Sequence, residues 1–251
     1  MAAAVVHVVT PSMTRLGGWV EVAPLSVLTV RAGAEPGAYF GTFHSLMSFG
    51  AYTDPFDSET RDTRGAGKCG WGTRSYVTPA VQFRAGPIVA RVAGDVERWQ
   101  TTVAGPYYYE PARDTLLKTS GDWLLNSTSV AMYQRDFASG GYLSGGVVHN
   151  LTRVFEAPDN QVQRLGVLAI REFASPHLRL PHLRITATAW RYLDDPSKRN
   201  QWGAAVAIGF RSVRPARGDG GSVNAVDDQG SAILLSIAMA ACAWRVVARS
   251  P

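Results

Sequence analysis

The feature that most constrains this chain is a sorting of side chains at period two, sustained over long segments. In "GPIVARVAGDVERWQ" (86–100), Ile88, Ala90, Val92, Gly94 and Val96 take the even positions, while Arg91, Asp95, Glu97 and Trp99 take odd ones. Successive side chains of a strand point to opposite faces, so this spacing predicts a strand between two different environments. Val89 and Arg98 break the pattern, and Arg98 suits the apolar face only near the strand's end. The same sorting recurs in 77–85, 183–190 and 202–210, where Trp202, Ala204, Val206, Ile208 and Phe210 oppose Gly203, Ala205, Ala207 and Gly209.

Read along its length, the chain predicts ten strands, near 2–10, 16–23, 25–37, 72–85, 87–102, 121–134, 140–154, 160–174, 181–193 and 199–212. Several are far longer than the roughly 5–6 residues of an ordinary strand. Long open edges would template aggregation, so a closed sheet is expected. The connections also alternate. "APL" (23–25), "AGP" (85–87), "RDFASG" (135–140) and "SPHLRLP" (175–181) are short or moderate, whereas 38–71 and 103–120 are long. "EAPDN" (156–160) and "DDPSKRN" (194–200) fall on the same side as the long pair.

Alternation separates two faces without saying which is inside. In a soluble calyx the apolar set lines a cavity; in a membrane barrel it faces lipid and the polar set fills the lumen. Composition favours the second. Charged residues are 18% of the chain, and of the 25 basic residues only Lys68, Lys118 and Lys198 are lysine. A polar face made of Gly, Ala and Thr, as in 203–209, suits a crowded interior better than a water-facing surface. The expected fold is therefore all-β, an up-and-down antiparallel transmembrane β-barrel of about 10 strands (range 8–12) over 1–212. Trp19, Trp71, Trp99, Trp123, Trp190 and Trp202 fall near expected strand ends, where interfacial aromatics belong, although Trp99, Trp190 and Tyr192 share the polar parity.

Over about residues 2–212 this pattern resembles a bacterial outer-membrane β-barrel protein of the porin-like class. "QWGAAVAIGF" (201–210) is similar to the last-strand assembly signal of that class, although 41 residues follow it here. The resemblance implies residence in the bacterial outer membrane, contact with its lipid and with the barrel-assembly machinery, and a structural or narrow-pore role for small solutes. Two other readings stay open: an outer-membrane lipid-modifying enzyme, and a soluble lipocalin-like barrel carrying an apolar ligand. The start "MAAAVVHVVTPSM" has no Lys or Arg before its apolar stretch, so no export signal is visible in it.

The lumen parity assigns Arg31, Glu35, Arg84, Arg91, Asp95, Glu97 and Arg184 to the interior. Buried charges must pair or stay wetted, and ten strands make a narrow barrel compared with porins of 16–18. A packed, salt-bridged interior is expected over an open pore. No catalytic residue is expected. Ser144 and His149 are five residues apart and so point to opposite faces, and none of His7, His44, His149, His177 and His182 sits in a His-x-Ser pattern. "GPYYYEPARD" (105–114) marks Tyr107, Tyr108, Tyr109 and Glu110 as loop candidates for recognition, with rim anchoring as the alternative. "DPFDSETRD" (54–62) reads as a solvated acidic loop without calcium-loop spacing.

Net charge is +5, but the arginines are spread along the chain without a basic run, which argues against nucleic acid. Cys69 and Cys242 match no metal or redox spacing, so neither metal nor cofactor is expected. Residues 213–230 read as a flexible linker, and 231–251 as an apolar tail whose uncharged run is too short to span a bilayer as a helix.

Overall fold

The computed structural model describes residues 1–138, 140–174, 182–196, 198 and 200–211. The chain forms β1 (Ala2–Val9), β2 (Met13–Leu25), β3 (Leu28–Phe40), β4 (Ser48–Phe49), the helix α1 (Ser58–Arg64), β5 (Cys69–Ala85) and β6 (Ile88–Thr101). There follow β7 (Tyr107–Glu110), β8 (Thr115–Lys118), β9 (Asp122–Asp136), β10 (Tyr142–Val154), β11 (Gln161–Ala174), β12 (His182–Asp194) and β13 (Trp202–Arg211). Ten of these make one antiparallel sheet in the order β1-β2-β3-β5-β6-β9-β10-β11-β12-β13. Each expected long strand is present, with ends shifted by three residues or fewer. The linker and tail expected over 213–251 lie outside the described residues.

The register staggers the strands. Following direct neighbours from Leu28, the row runs through Val81, Val92, Ser129, His149 and Leu165 to Arg191. It starts at the short-turn end of β3 and finishes near the opposite end of β12, the kind of shear that tilted strands require. The sheet is also rolled. Tyr39 of β3 donates to Glu110 at 2.8 Å, and Tyr192 of β12 reaches Asp114 at 3.5 Å. Six strand spacings separate β3 from β12, roughly 29 Å in a flat sheet, yet both touch the two ends of one five-residue turn. Among the described residues, β1 and β13 are the two sheet edges, and no ladder joins them.

The long connections are not bare loops. β4, β7 and β8 form a second, three-stranded sheet across one end of the rolled sheet. The acidic segment expected as a solvated loop instead carries α1, capped by Asp57, whose carboxylate accepts from Thr60 N at 3.0 Å. Phe56, just before it, is buried with Phe49, Met47, Tyr109 and Leu116. A second cluster joins Leu46, Tyr108 and Leu117 of this cap to Met13, Tyr39, Trp99, Leu124 and Val154 of the wall. The apolar core therefore sits at one end of the molecule, between cap and wall.

Elsewhere the wall is sorted in the opposite sense. Its outward face exposes Val5, Val20, Val81, Val92, Val147, Val167 and Val206, while Glu35, Glu97 and Trp99 of the inner face are buried. Small inner residues make room for large neighbours lying flat. A Cβ on Gly37 would meet Arg15 Cγ at 2.3 Å, and one on Gly203 would meet the Trp190 ring at 2.6 Å. This accounts for the Gly-Ala-Ala-Gly face of β13.

Candidate functional site

The inner face of β2, β3, β5 and β6 carries a compact network of opposite charges beneath the cap. Glu97, fully buried, accepts from Arg74 Nη2 at 2.6 Å and from the indole Nε1 of Trp99 at 2.6 Å. Arg113, reaching down from the turn between β7 and β8, grips the same carboxylate, with Nε at 2.8 Å from Oε2. Arg74 also contacts Glu35 at 3.1 Å and Asp95 at 3.9 Å, and Arg15 approaches Glu35 at 3.6 Å. The Trp99 ring lies among three guanidiniums, those of Arg15, Arg74 and Arg113, at 5.2, 5.8 and 5.9 Å. Such cation–π contacts strengthen when desolvated.

Polar neutral residues extend the network along the inner face of the sheet. Thr78 donates to Asp95 at 2.5 Å, Asn126 donates to the same carboxylate at 3.2 Å, and Thr152 donates to Asn126 at 3.0 Å. The three arginines are matched by three carboxylates, Glu35, Asp95 and Glu97. The set is balanced in charge and joins elements, although Arg15 Nε and Nη1 and Arg74 Nε are buried without a hydrogen-bond partner.

A turn of the cap anchors further latches. Asp114, at φ 55°, accepts from Tyr109 at 2.8 Å, is gripped by Lys198, and lies 3.7 Å from Arg164. Burial pushes its carboxyl up, but Lys198, Tyr109 and Arg164 outweigh that and hold it below the ordinary range. Glu110, four residues earlier, is equally buried and is raised by that burial, which Arg15 and the Tyr39 hydroxyl only partly oppose. On β8, Thr115 bonds Asn160 at 2.9 Å, and Tyr52 donates to Asp122 at the head of β9. The hairpin is thus tied to β3, β6, β11, β12 and the β10–β11 loop.

Sequence parity and structure can be compared residue by residue. Arg31, Glu35, Arg84, Arg91, Asp95, Glu97 and Arg184 share one face of the sheet, but only Glu35, Asp95 and Glu97 join the network. Arg31 pairs with Glu21 at 2.8 Å under a Trp19 ring 4.1 Å away. Arg84 pairs with Asp136 at 2.9 Å near the short turns, and Arg91 and Arg184 are exposed. Tyr108, Tyr109 and Glu110 are buried and Tyr107 is half-buried, so this segment is core and latch, where a recognition loop was expected. The tryptophans also split: Trp71, Trp123 and Trp202 are exposed on the outward face, whereas Trp19, Trp99 and Trp190 turn inward.

Arg15, Arg74 and Arg113 were not anticipated. Arg74 has the parity of Thr78 and Arg84, so extending that alternation would have found it. Arg113 lies in a connection, where periodicity carries no signal. Ser144 and His149 do face opposite ways, Ser144 buried and His149 outward with Leu143 and Val147. The register also sets Ser129 directly opposite His149, whose Nε2 lies 2.8 Å from the Gln163 amide. The chain matches no family model, no curated protein and no solved structure.

Proposed function

We propose that this chain is an integral β-barrel of the bacterial outer membrane, closed by the meeting of β1 and β13, with a structural, non-catalytic role. The cap and the network beneath it plug one mouth, so any solute path is narrow. The observation that carries this reading is the outward face. Between the strand ends it is mostly apolar, with Ser127, Ser129 and His149 among its mid-strand exceptions, and its described charged residues, Arg98, Arg135, Arg153, Arg171, Arg191 and Asp194, all lie within three residues of an end. Aromatic residues mark both edges of the apolar band: Trp71, Trp123, Phe155 and Trp202 towards the long loops, Phe83, Tyr133 and Phe173 towards the short turns. Trp123 and Tyr133 are ten residues apart on β9. At about 3.4 Å per residue and a tilt near 40°, that is roughly 26 Å of height, the thickness of a hydrocarbon band.

The test is partition and conductance. The purified chain is expected to require detergent or lipid and to give little single-channel current in planar bilayers. A monomer stable in plain buffer overturns the membrane assignment, and large steady currents overturn the plug.

A second reading, a lipid-modifying enzyme, draws on Ser129, His149 and Gln163 sharing the outward face. A serine beside an imidazole held by a third group follows the logic of nucleophilic catalysis. His149 stands four residues inward of Arg153 on β10, about 10 Å below the rim at the same tilt. That depth is below the headgroups and favours the non-catalytic reading. Labelling of Ser129 by a fluorophosphonate, lost in His149→Ala, would reverse the order of the two.

A further inference from the structure

Seven described arginines, Arg15, Arg31, Arg64, Arg74, Arg84, Arg113 and Arg164, each contact a carboxylate. The arginines on the outward face of the wall have no ion-pair partner among the described residues. Two of them converge on one feature. Arg98 of β6 is the direct neighbour of Trp123 on β9, and Phe155 lies on the other side, its N–H donating to Trp123 O at 3.0 Å. Arg153 precedes Phe155 by two residues and lies opposite Leu125. Arg98 and Arg153 therefore flank Trp123 from either side, two strands or about 10 Å apart laterally.

Depth matches as well. Rows of neighbouring residues climb towards the long loops from β6 to β10, as the stagger from Leu28 to Arg191 shows. The two-residue step back from Phe155 to Arg153 offsets that climb for tilted strands, so the Cα positions of Arg98 and Arg153 stand at nearly one level. Both are exposed, and Trp123 is 48% exposed between them. The Arg98 guanidinium is laid over Gly121, where a Cβ would come within 2.9 Å of Nη2, so it rests on the cap's edge. Below this level the face turns apolar at Leu125 and Val96.

We propose that Arg98 and Arg153 clamp the phosphate of an anionic membrane phospholipid, with Trp123 against the upper part of its acyl chains. Arginine suits this task because its planar fork bonds phosphate oxygens bidentately. No protein carboxylate competes for either fork, and the occupant must be acidic at the head and apolar below. The proposal rests on the membrane reading above and narrows it to a lipid class and a place.

The test uses the whole chain reconstituted in phosphatidylcholine vesicles, with tryptophan emission quenched by bromine on lipid acyl chains. Trp123→Phe isolates the share of Trp123. Brominated phosphatidic acid is expected to quench that share at lower mole fraction than brominated phosphatidylcholine. Arg98→Gln with Arg153→Gln should reduce the preference by about fivefold for each arginine. Arg98→Lys with Arg153→Lys, which keeps the charge and loses the fork, should retain a preference between those of the native chain and the Gln pair, and shows that loss in the Gln pair is not misfolding. Equal quenching by both lipids overturns the clamp and leaves the membrane reading standing. No quenching by either overturns the membrane reading and the clamp with it. Loss of the preference on adding millimolar inorganic phosphate would assign the site to free phosphate and overturn the lipid assignment.

Discussion

The cap and the wall of this molecule bury opposite things. In the cap, Leu46, Leu116 and Leu117 have no exposed surface and Phe56 has 1%, while Arg61, Arg64 and Asp62 stay towards the outside. In the wall, Val5 is 80%, Val167 60% and Trp202 68% exposed, while Glu97 and Trp99 are enclosed. The cap follows the ordinary rule of a water-facing domain, with apolar area removed from water. The wall instead leaves many large apolar side chains exposed on its outward face, the pattern of a surface that meets something other than water. On the membrane reading proposed above, the boundary between the two environments falls near the level of Trp71, Trp123 and Trp202.

The comparison can be broken most severely at the joint between the regions. Glu97→Ala leaves Arg74 and Arg113 buried without their shared carboxylate, and should cost about 3–5 kcal/mol in denaturant unfolding. Replacing Arg113 as well should recover part of that loss, because one orphaned charge is then removed. Leu116→Ala tests the cap alone: removing a fully buried side chain should cost about 2–5 kcal/mol and expose the hairpin to protease, with the strands of the wall retained by circular dichroism. Val167→Arg tests the wall. In a bilayer it should cost about 2–4 kcal/mol, measured by unfolding from vesicles; if the wall met water, the same change would be near neutral.

The smallest expected effects sharpen the cap itself. Asp114 is held below the ordinary range, so its contribution is present at neutral pH and is lost as pH falls through its lowered pKa. Glu110 is held above the ordinary value of 4.5, so its contribution is present below that value and fades as pH rises through its raised pKa. Asp114→Asn should therefore cost about 1–3 kcal/mol in denaturant unfolding at pH 7, for the groups left unpaired. Glu110→Gln should flatten the loss of stability that accompanies rising pH above 4.5. The reverse ranking at pH 7 would mean that Glu110, not Asp114, is the charged latch.

Much of the wall was legible because period two is a local signal. Ile88, Val92, Arg91 and Glu97 declare their faces within one segment, and nothing distant alters the alternation of a strand. The parity of Glu35, Asp95 and Glu97 therefore placed them together on one face without any knowledge of contacts. The cap was not legible, because β4, β7, β8 and α1 are too short to show a period. Tyr108 and Tyr109 look like a surface motif when read alone. They are buried because Leu117, Trp99 and Phe56 arrive from three other segments.

Sequence alone determined which side chains share a face, where the long strands run, and that long connections gather at one end, because these follow from backbone geometry and local composition. Only the tertiary structure decided that Arg113 closes on Glu97, that Glu110 and Asp114 reach opposite flanks of the rolled sheet, and that Arg98 and Arg153 flank Trp123. Those relations depend on register and on curvature across several strands, and a one-residue change of register would have turned every such side chain to the other face.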